Sequence, residues 1–122
     1  KAFELDTLLM AVVERLRSRL AAAEAETAHL KVIGQGDQAY GVANLVSSFT
    51  KAELSIPSGT QTRAAELVVN ARVAVDPVVL ESEVRLAVEQ VCTAMGLTPT
   101  WGTTRSFRPG RPVPTHRLQA SV

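Results

Sequence analysis

Ala65-Glu66-Leu67-Val68-Val69-Asn70-Ala71-Arg72-Val73-Ala74-Val75-Asp76-Pro77 is the stretch on which the reading of the chain turns. Leu67, Val69, Ala71, Val73 and Val75 fall on alternate positions, with Val68, Asn70, Arg72 and Ala74 between them. A period of two with one apolar set predicts a strand that buries one face. At Asp76-Pro77 the period changes. An aspartate can accept from the free amides of a helix start, and a proline suits the first helical position because it has no N–H to leave unpaired. Leu80, Val84, Ala87, Val88, Val91 and Met95 then recur at helical spacing, and Gly96 can supply the left-handed residue that closes the helix.

Working back from this unit, Leu5, Leu8, Leu9, Val12, Val13, Leu16 and Leu20 recur at three and four and predict an amphipathic helix over residues 6–25, with Asp6 as its cap. Alternation over 27–33 predicts a short strand, 34–38 a glycine-rich turn, and 39–49 a second strand completing a hairpin. The small residues of that second strand, Gly41 and Ala43 among them, imply that something packs closely on it. Residues 50–63 read as a mobile crossing loop, with a short strand at 52–56 as the only regular element they suggest. Beyond the second helix, 97–103 reads as extended and anchored by Trp101. Pro109, Pro112 and Pro114 then favour an extended polyproline-like tail.

The chain's 122 residues fit one domain, able to bury about two thirds of its unfolded surface. With 46% hydrophobic and 20% charged residues it belongs to the ordinary globular class. Its single cysteine, Cys92, precludes an internal disulfide and makes a reducing, cytoplasmic setting the expectation. No apolar run approaches the ~20 residues of a bilayer span, and no signal peptide is legible. The sequence opens at the edge of a helical pattern without an initiator methionine, and a piece of a longer chain is expected.

The net charge of +1 hides an asymmetry. Residues 1–104 carry nine basic and twelve acidic side chains, whereas 105–122 carry Arg105, Arg108, Arg111 and Arg117 and no acid. The expected organisation is an α+β interaction domain over 1–104 followed by a Pro/Arg-rich tail over 105–122. Five scattered aromatics and a mildly acidic body argue against a nucleic-acid surface.

Hairpin-linked strands flanked by two helices predict an α+β two-layer sandwich: an antiparallel or mixed sheet of three to five strands, with both helices on one face. The other face would be open and carry His29, Lys31, Asn44, Asn70 and Arg72 among Val42, Val46 and Val68. Such a mixed face reads as a docking surface for another protein domain or a second copy of the chain. The competing readings are a face covered by the tail or the long loop, or simply solvated.

In the tail, Arg105, Arg108, Arg111, His116 and Arg117 could clamp an anionic ligand at several points. The plainer alternative is a soluble terminal linker. His29, His116 and Cys92 are not at metal-ligand spacing, so neither a metal nor another cofactor is expected. Gly34, Gly36 and Gly41 precede a strand, with no Lys-Ser or Lys-Thr after them, and make a turn instead of a phosphate loop. Cys92 reads as a small buried hydrophobe.

The run Ala28-His29-Leu30-Lys31-Val32, the strand containing Ala43-Asn44-Leu45-Val46, and Leu67-Val68-Val69-Asn70-Ala71-Arg72 with Asp76-Pro77 resemble the C-terminal region of CobW-like P-loop GTPases. The resemblance covers about residues 5–95. It implies a non-catalytic domain that accompanies a GTPase concerned with metal or cobalamin handling. That family's nucleotide and metal motifs lie in its GTPase domain, and none occurs in this sequence, so no catalytic residue is carried over. The alternative is a small self-contained enzyme or anion-binding domain, with a pocket near His29 and Arg72.

Overall fold

The computed structural model describes residues 2–25, 27–47, 50–107 and 113–121. In chain order the elements are β1 (Phe3–Glu4), α1 (Leu5–Ala22), β2 (Thr27–Gln35), β3 (Tyr40–Leu45), β4 (Glu53–Ile56), β5 (Gln61–Thr62), β6 (Ala64–Val73), α2 (Pro77–Met95), β7 (Thr98–Phe107) and β8 (Val113–Ser121). The main sheet has six strands in the order β4-β3-β2-β6-β8-β7, and β1 pairs with β5 in a separate two-stranded ladder. Every pairing is antiparallel. The fold is the expected α+β sandwich with a larger sheet.

Alternation builds the core. Along β6, Ala65, Leu67, Val69, Ala71 and Val73 are buried while Glu66 and Arg72 are exposed. The inward residues of β2 and β3 (Leu30, Val32, Ala43 and Leu45) and of β8 (Leu118 and Ala120) join them in one cluster with the apolar stripes of both helices. Both helices therefore cover the same side of the sheet, α1 over β2 and β3, and α2 over β7 and β8. Seven α1 residues are fully buried, five of them leucines at 0% exposure. Each such leucine contributes on the order of 1.5–3 kcal/mol. Arg19 Nε donates to Glu83 Oε1 at 2.6 Å and ties α1 to α2.

α2 has the ends its sequence implies. Asp76 Oδ1 accepts from the Val78 amide at 2.8 Å, Pro77 opens the helix, and Gly96 closes it at φ 72°. Asp76→Ala should cost about 1 kcal/mol in urea unfolding, and a loss below about 0.3 kcal/mol would show that the cap is idle.

Three local expectations are corrected. Asp6 does not cap α1: the cap is Glu4, which makes no side-chain cap bond. Glu4 is held in β1 opposite Gln61, and Asp6 turns away to accept from the Ser58 and Gly59 amides at 2.8 and 3.0 Å. The crossing segment is consequently anchored and contains both β4 and β5. Gly34 lies inside β2, opposite Gly41, and the turn begins only after Gln35.

A further correction concerns the chain's end. Residues 113–121 form β8, an interior strand between β6 and β7, where a polyproline-like tail was expected. Its ladder with β6 ends at Asn70–Thr115, so Pro114 pairs only with Ser106 of β7 and no donor is missed on the β6 side. Pro99 is tolerated because β7 is the edge strand. Pro109, Pro112, Arg108 and Arg111 lie outside the described residues.

Trp101 of β7 packs against the core, with the Arg85 guanidinium 4.5 Å from its ring centroid. This cation–π contact joins α2 to the edge strand.

Candidate functional site

Because helices cover only one side of the sheet, the other side is where β2, β3 and β6 present their alternate residues. The register sets His29 opposite Arg72, and Lys31 opposite both Asn70 on β6 and Asn44 on β3. Directly paired residues share a face, so these five belong to one surface. Their side chains are partly exposed, Arg72 most of all.

The next row along the strands is apolar. Ile33 pairs with Val42 and Val68, and Val42 pairs in turn with Ile56. This gives a band of four β-branched residues across four adjacent strands. Val42, in its middle, is only 7% exposed because its neighbours flank it, while Ile56 at the edge is 41% exposed. Tyr40 (51%) and Val46 (62%) add apolar surface at the two ends of β3. Sequence reasoning placed Val42, Val46 and Val68 on this side but missed Ile33 and Ile56. Ile33 was legible as the next step of the His29, Lys31 alternation. Ile56 was not, because a bulge between Val42 and Ala43 resets the β3–β4 register.

Asn44 sits between band and edge. Its Nδ2 donates to Ser55 Oγ at 2.6 Å, and Oδ1 is buried without a hydrogen-bond partner. Turning the amide over would only exchange the two ends, so one polar end of Asn44 stays unpaired either way.

Of the arginines expected in the tail, Arg105 and Arg117 lie in described strands. Arg105 on β7 stands opposite Thr115, which stands opposite Asn70; Arg117 stands opposite Val68. His116 stands opposite Val69.

Other chemistry is sparse. Among the described residues there is no group of three or more His, Cys, Asp or Glu able to hold a metal ion. Cys92 is fully buried, and burial, with Glu89 adding to it, pushes its thiol pKa up, away from the thiolate a nucleophile needs. Two shallow hollows lie on the helical side; the first, of about 390 Å³, is lined by Ala11, Arg15, Val91 and Met95, and the second by Arg19, Ala22, Glu83 and Gln90. No described helix is long and apolar enough to cross a membrane. A scan against protein-family models finds no match for the chain, and no curated protein matches it.

Proposed function

We propose that this chain is a non-catalytic docking module that engages another protein domain through its open sheet face, and that its partner is a P-loop GTPase of the CobW-like kind. The observation that carries the docking reading is the apolar band of Ile56, Val42, Ile33 and Val68, set beside His29, Lys31, Asn70 and Arg72 and uncovered by either helix. Ile56 and the partly exposed Ile33 and Val68, set around the buried Val42, gain from being covered, and the polar row beside them can fix orientation. The GTPase part of the proposal rests on the sequence resemblance alone, including the link to metal or cobalamin handling.

The test is calorimetric titration of the chain into a CobW-like GTPase domain from the same organism. His29→Ala with Arg72→Glu should weaken the complex about tenfold or more, since removing the Arg72 charge from a desolvated interface typically costs upwards of 2 kcal/mol. Equal affinities for the double variant and the natural chain would overturn docking through this face. Absence of any complex with the natural chain would overturn the GTPase as partner.

A further inference from the structure

From the charges on the open face we infer that its occupant is an acidic amphipathic segment of a different protein, and not a second copy of this chain; the inference rests on the docking reading above. His29 is directly opposite Arg72, and Lys31 is one pair further along the same two strands, diagonal to Arg72. Lys31 and Arg72 are like charges within reach of each other across the strands, and they repel. Lys31 has only Asn44 and Asn70 as its direct cross-strand neighbours. The nearest acids on this side are Glu53, beyond Asn44 on the edge strand, and Glu66, three residues back from Val69 on β6 and paired with Gln35. Among the described residues neither Lys31 nor Arg72 forms an ion pair, whereas Arg17, Arg19 and Arg85 on the helical side all do.

Among the described residues Arg15 on α1 also lacks an ion pair, but on the open face the two unpaired cations lie one pair apart beside the apolar band. Lys31 and Arg72 make the basic block of this face. A second copy stacked with its strands mirrored would bring this basic block against itself. A partner with carboxylates flanking an apolar stripe would cover the Ile33–Val42–Val68 band and neutralise the block together.

The experiment uses two helical peptides of about 18 residues with the same leucine stripe, flanked in one by glutamates and in the other by lysines. Each is titrated into the isotopically labelled full chain while its amide resonances are followed. The glutamate peptide should shift the amides of residues 29–33, 42–44 and 68–72, and bind about tenfold tighter than the lysine peptide at low salt. The gap should close toward about 0.5 M salt. Lys31→Glu with Arg72→Glu, both at partly exposed positions, should reverse the preference while keeping a folded spectrum.

Equal binding of both peptides at the open face would overturn the acidic partner and leave docking standing. Shifts confined to the helical side would overturn the docking face itself. Concentration-dependent association of the chain alone, abolished by Val68→Asp, would make a second copy the occupant and overturn the inference.

Discussion

Leu9→Ala is expected to lower stability by about 2–5 kcal/mol, and Gly34→Ala by about 1–3 kcal/mol, yet the two together should cost clearly less than their sum. Leu9 is fully buried on α1 and lies over the directly paired glycines Gly34 and Gly41. A Cβ added at Gly34 would sit 2.7 Å from Leu9 Cδ2 and 3.0 Å from Leu5 Cδ1; one at Gly41 would sit 3.0 Å from Leu9 Cδ1. The glycine pair therefore makes a notch in the sheet that lets α1 approach. Filling the notch while Leu9 is present forces α1 outward, and emptying the helix side leaves a cavity that neighbours only partly close. In the Leu9→Ala background the new methyl at position 34 enters the vacated space, and alanine also restrains the strand better than glycine. The double-mutant cycle, read from urea unfolding, should show a coupling of about 1 kcal/mol or more. Additive losses would mean that Leu9 and Gly34 do not share this contact.

The same notch shows where sequence reading reached and where it stopped. The small residues of β3 implied a closely packed neighbour, which is α1. Gly34, however, looked like turn chemistry, because glycine beside Gln35-Gly36-Asp37 is what a hairpin turn uses. Only the pairing of Gly34 with Gly41 and Leu67 shows that it belongs to the strand. β6 and α2 were legible almost residue by residue, since period and caps agree there. β8 was not. Three prolines within a few residues outweigh the short alternation of Leu118 and Ala120, and no local signal tells that the β6 ladder stops before Pro114. The open face was legible through alternation in β2, β3 and β6; its apolar row was only half visible, because Ile56 reaches it through a bulge.

Asp6→Ala should remove about 1.5–3 kcal/mol at neutral pH, with most of that loss confined to pH values where a carboxyl is ionised. Burial by itself would raise the Asp6 pKa, but the amides of Gly59 and Ser58 and the Ser58 hydroxyl more than offset it and hold the carboxyl below its ordinary value. Since the folded pKa lies below the unfolded one, the carboxylate's contribution is fully present above the unfolded value and is lost as pH falls through the folded value. The stability gap between the natural chain and Asp6→Ala should accordingly be constant above about pH 5 and narrow progressively below about pH 4. A gap that does not change with pH would show that the anion is not what holds residues 58 and 59. Hydrogen exchange supplies a second reading: the Ser58 and Gly59 amides, which donate to this carboxylate at 2.8 and 3.0 Å, should exchange faster in the variant, and so should Leu5, whose amide donates to the Thr60 carbonyl at 3.2 Å. Loosening that spreads from 58 and 59 to Leu5 would mean that one carboxylate in the first turn of α1 holds the crossing segment and the β1–β5 ladder as a unit, which is why a position that looks like a helix cap is spent on a loop more than fifty residues away.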